Sequence, residues 1–460
     1  MALHHGSRVA EQLKIRGDAC SFVCIGRWLL MRHLGYNRRL RQGWQRLVAI
    51  GIVDGISTVT ASLGSKVQTL ALLAFVTRAH GVDGVGEAIL AISAALLLVA
   101  IADMGLSPQV MRLFAQQVLW DRRLIVRPLL WRAAILAPLS LAATAISLDG
   151  GIQSGQYLIW SCAIFLYAIG YQSSMTTTQL AYGVGRFKQA AALNGSLRAA
   201  SVVLLVVLAV LEAGVVDFVI ALSVIEILIA GFQYGMIPRS ADKQEAAARA
   251  TLRLAKVWKY GTGSIANTVM NRSDAVVVSL VASAGVIGVY GLASQVENAL
   301  TTAALIPAGA VIAYTAKATT RAEEREIGRI SARFVGVGYC LLATPFLFFT
   351  EFFVLLIFGT RISDPLPFQI CIIAGLFSCL GGVGMQQLTG RGSASEVAKV
   401  WSFTAVFAVV GLLIGAGLWG ALGASVAALA RDVFFWGATK IASKRPGPVL
   451  EASGKIMELK

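Results

Sequence analysis

Residues 59–105 read VTASLGSKVQTLALLAFVTRAHGVDGVGEAILAISAALLLVAIADMG, two apolar runs joined by the short polar turn Arg78–Glu87. The runs Val59–Thr77 and Ile89–Gly105 have the length that a helix rising ~1.5 Å per residue needs to cross a ~30 Å hydrocarbon core. Neither alternates apolar with polar residues, which excludes the strands of a membrane barrel. Two membrane-crossing helices are therefore predicted here.

Ten further stretches repeat the pattern: Leu129–Leu148, Gln156–Met175, Ala199–Val215, Phe218–Ile237, Gly263–Ser283, Gly288–Ala313, Phe334–Phe358, Leu366–Leu388, Val400–Trp419 and Ala421–Thr439. The composition agrees. Of 460 residues 57% are apolar and 14% charged, with a mean hydropathy of +0.71, far from the soluble average. The expected fold class is an all-α polytopic membrane protein of about twelve transmembrane helices.

Lys and Arg set the orientation. Of the 40, 34 fall in the amino-terminal arm, the alternate connections and the tail, all on one side of the membrane. Only Arg78 and Arg361 fall on the other side, and Lys66, Arg132, Arg272 and Arg431 lie within spans. Basic residues collect on the cytoplasmic side, so both termini are expected there. The net charge of +16 then reports topology and attraction to anionic membrane lipids, and no nucleic acid is expected as a partner.

Catalytic chemistry finds little support. There is no Walker A, HExxH or GxSxG sequence, and three of the four histidines lie in the amino-terminal arm. The six cysteines form no ligand or disulfide framework. Gly415–Gly420 fits a dinucleotide pattern only in spelling. It sits at the end of an apolar span, where small residues serve helix packing. The chain reads as neither an enzyme nor a metal or cofactor binder.

Five segments are expected: a basic arm 1–58 (with Met31 as an alternative start), six spans in 59–237, a cytoplasmic linker 238–262, six spans in 263–439 and a tail 440–460. The two sets carry a short repeat. Gly81-Val82-Asp83-Gly84-Val85 matches Gly285-Val286-Ile287-Gly288-Val289 at an offset of 204, and Gly105 meets Gly309. Six spans per copy put both copies in the same orientation, a parallel repeat of two lobes that can rock around a central cavity.

Ionisable groups at mid-bilayer cost ~2.5–3.5 kcal/mol each, so each needs a cavity, a partner or a ligand. Counting ~1.5 Å per residue, Lys66 lies ~10 Å deep, Arg272 ~14 Å and Asp274 ~16 Å. Lys66 and Arg272 are candidates for an anionic substrate, the alternative being pairing with Glu226, Glu297 or Asp274. Asn267 and Asn271 share a polar stripe with Ser264 and Asp274 and are candidate substrate contacts. Asp274 and Glu297 are candidates for H+ or Na+ coupling, Asp274 alternatively for a bridge between the halves. Asp103 and Arg132 read as structural, with Arg132 snorkelling to the interface.

The runs Leu63-Gly64-Ser65-Lys66, Thr77–Gly81 and Ala102–Leu106, with Asn271-Arg272-Ser273-Asp274 and Gly288–Ala293, resemble the Wzx-type oligosaccharide flippases. These belong to the multidrug/oligosaccharidyl-lipid/polysaccharide exporter superfamily. The resemblance spans about residues 50–440. It implies twelve helices in two lobes around a cationic cavity in the bacterial inner membrane. An undecaprenyl-diphosphate-linked oligosaccharide would move outward for lipopolysaccharide or exopolysaccharide synthesis, with a polymerase and a chain-length regulator as partners. A multidrug/cation extruder shares this architecture. A membrane glycosyltransferase or polymerase would need a large outside loop, and a peptidoglycan-precursor flippase fourteen spans.

Overall fold

The computed structural model describes residues 38–103, 123–147, 154–183, 186–236, 265–305, 320–362 and 364–445, with isolated positions at 263 and between 308 and 318. Eleven helices are delineated: α1 Arg38–Asp103, α2 Arg123–Ser147, α3 Ser154–Gly183, α4 Phe187–Val210, α5 Val215–Met236, α6 Asp274–Ser279, α7 Ala284–Leu305, α8 Arg321–Phe348, α9 Thr350–Phe358, α10 Leu366–Gly390 and α11 Ala394–Ala442. Residues 1–37, the expected linker 238–262, residues 446–460 and the Gly105/Gly309 match lie outside the described residues.

Seven of the described helices are long and apolar enough to cross a membrane. Two of these, Gly64–Asp103 and Ser395–Ala442, hold 40 and 48 residues, about twice what one crossing requires. Each is broken near its middle. Gly81 (φ 71°, ψ −168°) interrupts α1 in a conformation that a side chain would oppose, and Trp419–Gly420 interrupts α11. The two arms of α11 fold against each other, with Trp401 stacked on Phe435 and Phe407 on Phe434. Polar backbone is satisfied within helices, and apolar side chains face outward across long stretches. The chain is a polytopic all-α membrane protein.

Several helix limits differ from the sequence-based expectation, three of them in ways that bear on the site or the packing. Helix α4 starts at Phe187, twelve residues before Ala199, which brings Arg198 inside the helix instead of leaving it in a cytoplasmic connection. Helix α8 starts at Arg321, ahead of Phe334, with the Thr320 hydroxyl accepting the Glu323 N–H at its head. Its first turns are amphipathic, so only the apolar continuation reads as a span. Pro345 lies one turn before the break at Phe349 that separates α8 from α9. The expected span Gly263–Ser283 is helical over 265–272, bends at Ser273 and resumes as α6.

Within the first half of the sequence α3 packs against α2, α4 and α5, and α4 against α5. Within the second, α10 packs against α7, α8 and α11, and α7 also contacts α6, α8 and α11. The second arm of α1 meets α7 directly. A Cβ on Gly86 would strike the Ala284 carbonyl, and one on Gly288 the Val82 carbonyl. Asp83 likewise stands against Gly285, and Ile89 against Gly291. Asp83 and Gly285, like Ile89 and Gly291, are 202 residues apart, and the same shift converts the Gly86–Ala284 contact into the Gly288–Val82 contact. The two segments thus run side by side in one direction, related by a pseudo-two-fold contact. Its register differs by two residues from the 204-residue sequence match.

Candidate functional site

Among the described residues a group of buried charges sits where α6, α7 and the second arm of α11 meet. Arg431 donates from Nε and Nη2 to the two carboxylate oxygens of Asp432 at 2.9 and 3.1 Å. Adjacent helical residues point apart, and only the long guanidinium stem allows this return. Nη1 reaches Asp274 Oδ2 at 3.0 Å and the Met270 carbonyl at 3.2 Å, just ahead of the bend at Ser273. The Tyr290 hydroxyl donates to Asp274 at 2.7 Å. Arg431 is 5% exposed and Asp432 fully buried. Asp274 therefore occupies a bridge inside the second half, not between the halves.

Glu297 lies one helical stretch further along α7 and is 4% exposed. Among the described residues it has no cation within ion-pair distance, and its one hydrogen bond is a long 3.4 Å contact from Thr301. Its carboxyl stem rests beside Gly375, where Tyr339 also closes in. Arg431, Asp432, Asp274 and Lys66 all lie within Coulombic reach of it.

In the first half two buried arginines are matched with carboxylates. Arg198 on α4 pairs with Glu226 on α5 at 2.8 Å and also donates to Gln68, while the Ser174 hydroxyl donates to Glu226. Arg132 on α2 pairs with Asp103 at 2.9 Å, and Gln172 donates to the same carboxylate at 2.8 Å. Arg132 is 2% exposed, so it is held by its partner and does not snorkel to the interface.

This pairing leaves Lys66 and Arg272. Neither makes a hydrogen bond or ion pair with any described residue, and each lies within Coulombic reach of the other. Two of the three carboxylates considered as partners are taken elsewhere, Glu226 by Arg198 and Asp274 by Arg431. Lys66 comes from α1 and Arg272 from the turn before α6, so the two cations converge from opposite halves of the sequence. Asn267 and Asn271 are partly buried on the same stretch, with the Asn271 amide bonded to the Asn267 side chain and carbonyl, both at 2.8 Å.

Sequence reasoning passed over Arg198, Arg431 and Asp432. An arginine and an aspartate side by side in the otherwise apolar span Ala421–Thr439 were a usable signal, since charge within a span needs a reason. Arg198 carried a weaker one, because it stood next to an apolar run and looked like its flank.

No family model matches the sequence, and no curated protein matches it. Solved structures do match in three dimensions. Lipid II flippase MurJ in an inward closed conformation aligns with a TM-score of 0.61 at 11% identity, covering 86% of this chain and 88% of that one. An outward-facing multidrug resistance MATE family transporter of the MOP superfamily gives 0.59 at 14% identity, covering 87% and 96%. A Vibrio cholerae MATE transporter gives 0.56 at 14% identity, covering 87% and 97%. The chain has the fold of these transporters. The shared fold extends over most of both chains in each of these three alignments, in keeping with the expected polytopic all-α membrane fold.

Proposed function

We propose that the protein flips an anionic, lipid-linked oligosaccharide across the bacterial inner membrane, by alternating access between lobes formed by 59–237 and 263–439. In this reading it is a Wzx-type member of the superfamily, with both termini cytoplasmic and a polysaccharide polymerase and chain-length regulator as partners. One observation carries the reading: Arg132, Arg198 and Arg431 each have a carboxylate partner, while Lys66 and Arg272 have none among the described residues. Two uncompensated cations within a bilayer are costly unless an anion visits them. A diphosphate supplies that anion, and a guanidinium grips its oxygens in pairs. Asn267 and Asn271 stand on the same stretch as Arg272 and offer polar contacts to the headgroup.

The alternative, a multidrug/cation extruder, draws on Glu297, which has no cation partner among the described residues, but a cationic drug there would stand within Coulombic reach of Lys66 and Arg431. Binding of undecaprenyl diphosphate bearing a short oligosaccharide to the purified protein separates the two. Lys66→Ala and Arg272→Ala are expected to weaken it about 10- to 100-fold each, the range for a lost charged hydrogen bond. Arg272→Lys is expected to recover part of the loss. Unchanged binding in both alanine variants, or tight binding of a lipophilic cation instead, rejects the anionic reading. For orientation, reporter fusions at Gly84 and Gly285 are expected to read outside and fusions at Glu324 inside, and a reversed pattern overturns the placement of the termini.

A further inference from the structure

We propose that Arg78 is the releasable latch of a gate at the Gly81 end of the molecule, the end that the Lys and Arg distribution assigns to the outside. Arg78 stands at the close of the first arm of α1. Its Nη2 donates to the carbonyls of Leu356 and Ile357, both at 3.2 Å, in the last turn of α9. Those carbonyls belong to the group that a helix leaves without internal partners, and the carboxy-terminal end of a helix attracts a cation. Gly359, in the left-handed conformation that ends α9 (φ 72°), leaves the space in which the Arg78 side chain lies. A bond therefore runs from the first half of the sequence to the second, 278 residues away.

The rest of the turn divides its contacts in a way that suits a latch. His80 lies 2.7 Å from the Ala213 carbonyl and packs its ring edge-on to Phe218, both in the first half. The turn is thus fastened to its own half by His80 and to the other half by Arg78. Just beyond it, Gly86 against Ala284 and Gly288 against Val82 bring the two backbones together with no room for a side chain. In the two-sided access proposed above, backbone contact of this kind is the closed state of this end. Opening it requires these segments to part, and among the described residues the Arg78 hydrogen bonds are polar contacts across the halves that such a parting has to break. They are partly solvent-exposed, so water replaces them at low cost and the latch is reversible.

The inference rests on the two-sided access proposed above but on no particular substrate, and its test uses none. In a background with the six cysteines replaced by serine, Thr69→Cys, one turn from Lys66, reports access to the interior. A membrane-impermeant thiol reagent is applied to the outside of right-side-out vesicles. Arg78→Ala is expected to raise the outside labelling rate at least fivefold, Arg78→Lys to raise it less, and Gly86→Leu, which bars closure, to raise it most. In the same background without the reporter, Asp83→Cys with Gly285→Cys is expected to cross-link on oxidation and to be released by reductant. With the same pair added to the Thr69→Cys protein, oxidation of the pair to its disulfide before the reagent is applied should suppress outside labelling, and reductant should restore it. Outside labelling at the unmodified rate in Arg78→Ala and Gly86→Leu, both present at normal abundance, overturns the proposal, as does a cross-link that leaves labelling unchanged. If Arg78→Ala protein is lost from the membrane, Arg78→Lys and the cross-link decide alone. Loss of lipid-linked oligosaccharide binding in Lys66→Ala or Arg272→Ala, by contrast, bears only on the substrate and leaves the latch standing.

Discussion

Arg431→Ala is expected to remove most of the folded protein from the membrane. The guanidinium holds Asp432 through two hydrogen bonds, Asp274 through another and the Met270 carbonyl at the bend before α6. Truncating it leaves two buried carboxylates facing each other without a cation. Removing one member of a buried pair costs ~3–5 kcal/mol, a hundredfold or more in the folded fraction and a large share of the ~5–15 kcal/mol that keeps a domain folded. Arg431→Lys should be nearly as damaging, because an ammonium is a point charge and cannot serve the fork and the bridge together. The control is the triple change Arg431→Met, Asp274→Asn and Asp432→Asn, which removes the charges as a set and should recover much of the stability. Thermal melting in detergent with monodispersity by size exclusion would measure all three. A stable, monodisperse Arg431→Ala protein would show that the cluster is not what holds α6 and α11 together.

Glu297→Gln should abolish the response of transport to an imposed proton gradient while leaving binding of the lipid-linked oligosaccharide within about threefold. Of the three carboxylates in the second-half cluster, Asp274 and Asp432 are committed to Arg431, whereas Glu297 is buried and, among the described residues, has no cation at ion-pair distance. A carboxyl group in such a site is best placed to take up and release a proton as its surroundings change. If the proposed transport is coupled to protons, Glu297 is therefore the residue whose substitution tests it, with Asp274, held by Arg431, as the comparison. In reconstituted vesicles an inward proton gradient is expected to accelerate flipping by the wild type and to leave Glu297→Gln at its gradient-free rate. Asp274→Asn should keep a weakened response and lose stability. A full response in Glu297→Gln, lost in Asp274→Asn, would move the exchange to Asp274. An acceleration by sodium in place of protons would change the ion, and indifference of the wild type to both gradients would remove coupling altogether.

Most of the helical architecture was legible because it follows from one local quantity, the length of an apolar run. The break at Gly81 and the turn at Trp419–Gly420 could be placed for the same reason, each falling between two such runs. Helix starts were misjudged where a charge lies inside a helix. Arg198 looks like the end of a loop until Glu226, 28 residues later in the chain, is known to lie 2.8 Å from it. Which intramembrane charges are satisfied was not legible at all. Lys66 and Arg132 are equally isolated in the sequence, yet among the described residues Arg132 has a carboxylate partner and Lys66 has none. Pairing across helices is decided by tertiary contact, and no spacing rule along one chain encodes it. The Asp274 bridge illustrates the same limit, since its partner is 157 residues away.

The contact between the second arm of α1 and α7 bears on descent. Asp83 and Gly285, and Ile89 and Gly291, face their own counterparts under the 202-residue shift, so they lie on the pseudo-symmetry axis. In a dimer of identical half-length chains such positions meet themselves: two isoleucines would collide, two glycines would leave a void, and two aspartates would repel. Joining two copies in one polypeptide lifts that restriction. Each axial site can then pair a large or charged residue with a glycine, as both of these do. Chain fusion converts an interface that must be self-complementary into one that can be asymmetric, and the side chains along the axis are where a founding duplication would have been free to diverge first.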